Sequence, residues 1–431
     1  MGLDVGLAKT RQFKLLACVE KIEAFCDTIR LNQGRGRLPS NLVLKQEDIK
    51  AVDAAKLRKE LGLKKGELDL LVGGPPCQSF STAGKRGSVQ DARGTLLWDY
   101  LRFVEEFQPR FFLMENVRGL VSAALKHRPI KDRPSGDGPA LEEDEEPGSV
   151  VRLFCKDLEK IKGGYHMDCY EVNSVNYGAP QIRERALFIG NRMGIQLDFP
   201  EPTHGVESEE AEKDLFSPPP KNLLPWTTLR DVIGDLSEQS PEVMDFSPRK
   251  KSFLSHVPEG GNWRSLPEKL QKESMGKAFF AKGGRSGWWR RLTYDLPSPT
   301  LVTMPNHAST ALCHPVETRA LTVREYARIQ GFPDEWEFAG KTADKYAQIG
   351  NAVPVRLAEI AGGMIADALK ASYKGSLKSY QPATSGFRKI YMQSHIRTRS
   401  WFKDGKAMIW NDDLTPSYGA PKTKKRSTKL R

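Results

Sequence analysis

The stretch that most restricts how this chain can fold is an apolar run, Leu68 to Val72, followed at once by Gly-Gly-Pro-Pro-Cys at 73–77. A short apolar run closed by glycine and proline predicts a buried strand that ends in a stiff turn. Glycine lets the backbone approach a ligand closely, and proline restricts the turn. The first reactive side chain after the turn is the thiol of Cys77, which would face the crevice where α/β sheets bind ligands. We therefore predict that Cys77 is a nucleophile; an unreactive, half-buried cysteine is the alternative.

Acidic residues follow three other apolar runs of the chain. Glu20 ends a run that begins at Leu15, Asp48 follows a run that ends at Leu44, and Glu115 comes directly after Phe-Phe-Leu-Met at 111–114. Carboxylates at strand ends are the groups with which nucleotide-binding α/β folds hold ribose hydroxyls. For Glu20 an ordinary surface carboxylate is the alternative, and the pair Asp48-Ile49 carries almost no signal by itself. Glu115, at a strand end beside Cys77, is suited to give a proton or a hydrogen bond to a substrate; a solvated strand terminus is the alternative.

A pair of arginines stands in the segment Gln-Ile-Arg-Glu-Arg at 181–185, just before the apolar run Ala186 to Ile189. In an extended segment, alternation places Gln181, Arg183 and Arg185 on one side. Two neighbouring guanidinium groups need anionic partners, such as phosphate or a catalytic carboxylate. The alternative is an ion-paired sheet edge.

The overall composition restricts the class of protein. The 431 residues suffice for one large domain and a smaller one, and no apolar run approaches the roughly 18 residues of a membrane span. Without a signal-peptide pattern, we expect a cytoplasmic location and no membrane partner. The six cysteines are scattered, which indicates neither a disulfide framework nor a metal site.

The formal charge of +12 is concentrated in the C-terminal tail, where residues 373–431 hold 14 lysines and arginines against three acidic residues. Such a tail can hold phosphates without regard to sequence. The alternative is a solvated basic terminus.

Several of these segments together resemble a known family. Gly-Pro-Pro-Cys-Gln-Ser-Phe-Ser at 74–81, Phe-Leu-Met-Glu-Asn-Val at 112–117, the Gln-x-Arg-x-Arg segment at 181–185 and Gln-Ile-Gly-Asn-Ala-Val-Pro at 348–354 resemble, in this order, motifs of the bacterial DNA (cytosine-5)-methyltransferases. The resemblance covers most of the chain. It implies an α/β fold of the S-adenosylmethionine-dependent methyltransferase type, a Rossmann-like mixed sheet joined to a smaller, irregular target-recognition domain.

The resemblance also implies a reaction and its residues. Cys77 would add to carbon 6 of a flipped-out cytosine, Glu115 would hold ring nitrogen 3, and carbon 5 would take the methyl group of S-adenosylmethionine. Arg183 and Arg185 would belong to the catalytic set. The implied cofactor contacts are Glu20, Ile22, Asp48, Ile49, Pro76, Asn351 and Val353, and the implied DNA contacts are Gln78, Ser81, Gln181, Arg264 and Arg285. The polar loop from Thr82 to Arg93 is the expected mobile lid.

Composition and resemblance together predict the domain organisation. We expect a catalytic and cofactor-binding domain at 1–190 with an acidic, solvated insertion at 128–149, and a target-recognition domain at 191–318. A return segment at 319–370 would pack on the catalytic domain, before the basic tail at 371–431.

The chain departs from the resembled family at its beginning. Family members begin with a strand and a Phe-x-Gly-x-Gly-type loop around the methionine part of the cofactor, whereas Met1 to Leu7 resembles only the end of that block. We expect its absence to expose strand edges and leave the cofactor pocket half-walled. A start placed too late is favoured over a degenerate copy.

Three functions remain open from the sequence. The first is a DNA cytosine-5 methyltransferase, a monomer in the bacterial cytoplasm at the nucleoid, acting on double-stranded DNA beside a separate restriction endonuclease. The second is a DNA-binding paralogue with an impaired cofactor pocket. The third is an RNA cytosine methyltransferase of the same fold.

Overall fold

The computed structural model describes residues 1–76, 95–205, 223–280, 287–372, 388–392, 401–403 and 406–408. The helices of these segments are α1 (Gly2–Lys9), α2 (Glu23–Gly34), α3 (Ala54–Glu60), α4 (Leu96–Phe107), α5 (Ser149–Glu159), α6 (Leu229–Ile233), α7 (Pro248–Leu254), α8 (Glu268–Met275), α9 (Val323–Gln330), α10 (Thr342–Asn351) and α11 (Val355–Ser372). The strands are β1 (Ala17–Glu20), β2 (Val43–Gln46), β3 (Leu70–Gly73), β4 (Phe111–Asn116), β5 (His166–Asn173), β6 (Glu184–Asn191), β7 (His204–Gly205), β8 (Leu224–Pro225), β9 (Arg388–Tyr391), β10 (Trp401–Lys403) and β11 (Lys406–Met408). None of the helices in these segments combines the length and apolar character of a membrane span.

The core of the molecule is a mixed five-stranded sheet in the order β3-β4-β6-β5-β9. β3 and β4 are parallel, whereas β6 runs antiparallel to both β4 and β5. The first four residues of β4 are at most 1% exposed, because helices cover both faces of the sheet. A strand buried on both faces reads as a continuous apolar run, which is why β4 is visible in the sequence.

The first two strands form a separate parallel sheet. β1 pairs with β2 in register from Ala17↔Val43 to Glu20↔Gln46. Among the described strands, β1 has no partner besides β2, and β3 has none besides β4. Both pieces nevertheless pack on the same helical layer, since Val19, Val43 and Leu71 join one apolar cluster with α3 and α4. The described sheet is therefore divided between β1 and β3, while α3 and α4 connect the two parts.

Helices α1 and α11 cross closely over the opposite face of the five-stranded sheet. A Cβ atom at Gly6 would lie 2.4 Å from the carbonyl oxygen of Val355 and 2.5 Å from Cβ of Ala358. A Cβ at Gly2 would lie 2.1 Å from the carbonyl oxygen of Val353. The two glycines thus let α1 touch the backbone at the start of α11.

Between β6 and α9 the chain forms a poorly regular unit with its own small apolar cluster. Phe253, Trp263 and Trp289 lie in this cluster. Arg291 is 5% exposed, and its guanidinium donates to the carbonyl oxygens of Val257 (2.7 Å) and Leu254 (2.8 Å). Because helices are few here, backbone carbonyls depend on this buried arginine for hydrogen bonds.

The acidic insertion contains an ion pair, and a described part of the basic tail forms a strand. Arg128 is ion-paired with Glu145 and donates to the carbonyl oxygens of Pro139 (2.8 Å) and Ala140 (3.0 Å), which folds the acidic insertion around one guanidinium. In the tail, β9 adds a parallel strand to β5. Most described residues of 128–149 are exposed, whereas Arg128 and Glu145 are shielded from water by their ion pair.

We predict that the close crossing of α1 and α11 is essential for stability. Gly6→Ala should lower the free energy of unfolding by about 1–3 kcal/mol or more, because the added methyl group meets backbone atoms that cannot move independently. The matched control is Gly363→Ala on α11, where an ideal Cβ meets nothing within 4 Å. That variant should gain roughly 0.5–1 kcal/mol from helix propensity. Urea unfolding midpoints measure both effects; equal midpoints for the two variants would contradict the crossing.

Candidate active site

The carboxyl ends of β3 and β4 bring the Gly-Gly-Pro-Pro turn beside Glu115. The strands are parallel with Gly73 opposite Met114, so both chains leave the sheet at the same edge. An ideal Cβ at Gly74 would lie 3.2 Å from Oε2 of Glu115. The turn therefore approaches this carboxylate so closely that a side chain at position 74 would crowd it.

Asn116 holds the turn in place. Its side-chain amide nitrogen donates to the carbonyl oxygen of Pro75 at 2.9 Å, and its amide oxygen accepts from the backbone N–H of Val117 at 2.9 Å. Pro76 is the last described residue of the turn, and Cys77, Gln78, Ser81 and the expected lid lie outside the described residues. Sequence reasoning missed the part played by Asn116, since an asparagine after a strand has no distinctive spacing.

Glu115 is paired with Arg185 across two adjacent strands. β4 and β6 are antiparallel, and the guanidinium nitrogen Nε of Arg185 lies 2.6 Å from Oε1 of Glu115. Both side chains are 12% exposed. Burial lowers the pKa of Arg185, while the charge of Glu115 opposes that shift. A second nitrogen of Arg185 donates to the carbonyl oxygen of Glu184 at 2.7 Å, so the guanidinium is fixed and orients the carboxylate.

Gln181 and Arg183, the other members of the predicted trio, lie in the interior. Arg183 is 3% exposed and donates to the carbonyl oxygens of Leu301 (3.0 Å) and Gly350 (2.8 Å). Burial lowers its pKa to about 9, so it stays charged at neutral pH. Gln181 is 0% exposed, and its amide oxygen accepts from the backbone N–H of Leu301 at 3.0 Å.

This interior network reaches α9 and the start of α11. The amide nitrogen of Gln181 donates to Oε1 of Gln330 at 2.5 Å, and Gln330 in turn donates to the carbonyl oxygen of Ala352. Arg183 and Gln181 therefore join β6 to the return segment instead of facing Glu115. Alternation predicts a common side for the three residues, but it gives no partners; of the three, Arg185 is ion-paired with the carboxylate of Glu115.

The residues expected at a cofactor lie where β1 and β2 end. Oε1 of Glu20 accepts from the backbone N–H groups of Lys21 (2.8 Å) and Ile22 (2.9 Å). Nζ of Lys21 lies 3.2 Å from Oδ2 of Asp48, which joins the two strand-end loops. Hydrogen bonds from the backbone of Lys50 and from Lys21 lower the pKa of Asp48. Ile22 is 44% exposed, so the two carboxylates flank an exposed apolar side chain.

Ile49 and the residues after α10 complete the predicted cofactor set. Ile49 is partly buried, and its carbonyl oxygen accepts from Arg102 at 2.7 Å. Asn351 ends α10 with its side chain exposed, whereas Val353 is 5% exposed within the core. The backbone of Val353 faces Gly2 at the start of α1. Val353 thus packs in the core, whereas the polar side chain of Asn351 is exposed to solvent.

Of the predicted DNA-contact residues in the recognition region, Arg264 is described and exposed. Its guanidinium carbon lies 4.8 Å from the centroid of the Trp263 ring, a cation–π arrangement that holds the guanidinium at the surface. Arg285 lies outside the described residues. Arg290, also in this region, is half-buried, and desolvation lowers its pKa to about 10.

A mixed sheet with carboxylates at the ends of its strands is typical of nucleotide-binding α/β proteins. Comparison with known proteins gives the family. Residues 1–367 match the family model described as C-5 cytosine-specific DNA methylase. The chain therefore belongs to this family and is a DNA cytosine-5 methyltransferase.

Named relatives agree with this assignment. The chain is 38% identical over 378 residues to the Type II methyltransferase M.PspPI of Psychrobacter sp., covering 86% of this chain and 78% of that protein. It is 36% identical to M.Sau96I of Staphylococcus aureus, covering 84% and 72%, and 37% identical to M.Eco47II of Escherichia coli, covering 84% and 75%. All three relatives are named as Type II methyltransferases.

Solved structures confirm the predicted fold class. A protein described as a DNA modification methyltransferase of an E. coli prophage superposes with a TM-score of 0.53 at 23% identity, covering 86% of this chain and 96% of its own. A methyltransferase of Entamoeba histolytica superposes with a TM-score of 0.50 at 10% identity, covering 85% and 96%. The fold is thus that of the methyltransferases.

We predict that Cys77 reacts with thiol reagents faster than the other cysteines. Burial raises the pKa of Cys313 to about 11 and of Cys155 to about 12, and it also raises the pKa values of Cys18, Cys26 and Cys169. These five thiols therefore hold little thiolate at neutral pH. Brief iodoacetamide treatment of the native protein at pH 7.5, followed by peptide mass spectrometry, should modify Cys77 first, and Cys77→Ser should remove the fast phase. Fast modification of any of the other five would contradict this.

Proposed function

We propose that this enzyme transfers a methyl group from S-adenosylmethionine to carbon 5 of a flipped-out cytosine through a covalent bond between Cys77 and carbon 6. The observation that carries the proposal is the Glu115–Arg185 pair. It lies at the strand edge from which the Gly-Gly-Pro-Pro turn leads to Cys77, with Gly74 in contact distance of the carboxylate. Because Cys77 follows this turn in the sequence, we expect the thiol and the carboxyl group to act on one planar ring.

The strand-end loops of β1 and β2 fit a nucleoside. Glu20 and Asp48 offer carboxylate oxygens to hydroxyl or amino groups, and the exposed side chain of Ile22 offers an apolar surface to a ring. In the proposed complex Glu20 holds the ribose, and Asp48 and Ile49 hold the adenine. Pro76 and Asn351 are further proposed contacts of the cofactor. S-adenosylmethionine supplies the methyl group when bound.

Each catalytic residue has its own role in the proposed reaction. The Cys77 thiolate forms a bond to carbon 6, and Glu115, held by Arg185, hydrogen-bonds or protonates ring nitrogen 3. The electron pair released into the ring makes carbon 5 nucleophilic, so that carbon 5 takes the methyl group. Loss of the proton from carbon 5 restores the double bond and expels Cys77. Positioned acid catalysis of this kind contributes typically 10²–10⁴-fold.

Double-stranded DNA is the proposed substrate, and the enzyme works as a monomer separately from any restriction endonuclease. A cytosine stacked in a duplex is out of reach of Cys77, so the base must be flipped out of the helix. Arg264, held on Trp263 at the surface, is placed to contact the backbone or a base edge. Gln78, Ser81 and Arg285 are further proposed contacts. Because Gln181 is buried, its proposed contribution is indirect.

We predict that the enzyme forms a stable covalent complex with DNA containing 5-fluorocytosine. Fluorine at carbon 5 cannot leave as a proton, so Cys77 stays attached after methyl transfer. A long duplex made with 5-fluorocytosine at every cytosine presents many sequence contexts, and the complex is detected by denaturing gel in the presence of S-adenosylmethionine.

The complex should disappear in Cys77→Ala and form about 10²-fold or more slowly in Glu115→Gln. Glu105→Gln, an exposed carboxylate of α4, is the charge-matched control and should behave as wild type. Binding of the duplex by wild type without any covalent complex would contradict the proposed chemistry. Methylation of transfer RNA with none of DNA would contradict the proposed substrate.

A further inference from the structure

We propose that Lys389, in the C-terminal strand β9, is a positioning residue for the catalytic carboxylate, acting through Glu171 and Arg118. The proposal rests on the proposed function and extends it to a residue of the basic tail. The juxtaposition that carries it is a continuous row of ionic and hydrogen-bonded contacts from β9 to Glu115.

The strand β9 is built into the sheet. It pairs in parallel with β5 from Asp168↔Arg388 to Glu171↔Tyr391, and the backbone N–H of Met392 donates to the carbonyl oxygen of Glu171 at 3.1 Å. Met392 is 8% exposed, and Ile390 packs on the same apolar cluster as α11. The tail therefore contributes an edge strand whose residues 389 and 390 face opposite sides of the sheet.

Glu171 is a buried carboxylate that depends on two cations. Its side chain is 6% exposed, with Oε2 lying 2.8 Å from Nε of Arg118 and Oε1 lying 2.8 Å from Nζ of Lys389. A buried charge is costly without partners, so removing one cation leaves the carboxylate incompletely compensated and favours a shift of its side chain. Lys389 thus helps to fix the carboxylate that holds Arg118.

Arg118 connects this carboxylate to the active site in two ways. It lies three residues after Glu115, so its position fixes the chain that leaves β4. Its guanidinium also lies 3.4 Å from Oε2 of Glu184, the first residue of β6. The carbonyl oxygen of Glu184 accepts from Arg185, which holds Glu115.

These contacts lie on both faces of the sheet. Neighbouring strand residues point in opposite directions, so the side chain of Glu184 lies below the sheet while that of Arg185 lies on the face of Glu115. The row from Lys389 to Glu184 therefore stabilises the ends of β4 and β6 from behind. A displacement there changes where the carboxylate sits, and a misplacement of about 1 Å can cost up to 10²-fold in rate.

If Lys389 instead bound DNA phosphates, its substitution would change a different measured quantity. A lysine that holds DNA through phosphates affects affinity and its salt dependence. A lysine that positions Glu115 affects the methyl-transfer rate and leaves affinity unchanged. The two roles can be separated because single-turnover rate and DNA dissociation constant are measured independently.

The test compares full-length Lys389→Met, Lys389→Arg and the matched tail variant Lys378→Met. Single-turnover methyl transfer to DNA is measured per active site, the latter titrated with 5-fluorocytosine DNA so that misfolded protein does not count. Lys389→Met should slow transfer about tenfold with an unchanged DNA dissociation constant. Lys389→Arg should restore the rate, and Lys378→Met should transfer at the wild-type rate.

Glu171→Gln provides the coupling control. If Lys389 acts through Glu171, the double variant Glu171→Gln/Lys389→Met should transfer no more slowly than Glu171→Gln alone. A wild-type rate in Lys389→Met, or a weakened DNA affinity as its main effect, would overturn the proposal, and so would additive losses in the double variant. Absence of methyl transfer in the wild type would instead contradict the proposed function itself.

Discussion

A carboxylate that is largely withdrawn from water needs a fixed cation, and this requirement organises the centre of the molecule. Glu115 ends β4, and the guanidinium that meets it comes from the antiparallel neighbour β6. Because the pair spans two strands, the sheet register itself sets its geometry. The turn before Cys77 is then placed by the parallel register of β3 and by the hydrogen bond from Asn116 to Pro75. The pairing of the strands thus determines where the side chains of Glu115 and Arg185 meet.

Buried polar groups around the pair connect it to distant parts of the chain. Arg183 joins the beginning of β6 to Leu301 and Gly350, and Gln181 joins it to Gln330 of α9. These groups are buried, so an unmade bond would be costly and the arrangement is specified tightly. Segments that are far apart in the sequence, around Arg183 and around Gly350, are therefore joined by hydrogen bonds. The tail strand β9 adds a contact from the opposite face of the sheet.

The sequence predicts much of this arrangement, for reasons that particular residues show. The apolar run at 111–114 predicts β4 because a strand buried on both faces has no polar alternation, and Glu115 stands at its end. Alternation at 181–185 predicts that the three polar side chains lie on one side of the segment, but it does not predict their partners. Arg183 donates to the carbonyl oxygens of Leu301 and Gly350, which are distant in sequence. The strand β9 was missed because the basic composition of the tail predicts solvation, while its pairing with β5 is a long-range contact.

We propose that Arg185 holds Glu115 where it meets ring nitrogen 3 of a cytosine bonded to Cys77. The most direct measurement is a crystal structure of the covalent complex with 5-fluorocytosine DNA. We expect a bond from Sγ of Cys77 to carbon 6, and a Glu115 oxygen about 2.6–3.2 Å from nitrogen 3 with its bond to Arg185 kept. A cytosine whose nitrogen 3 is hydrogen-bonded to another residue, with Glu115 turned away, would contradict the proposed role of Glu115.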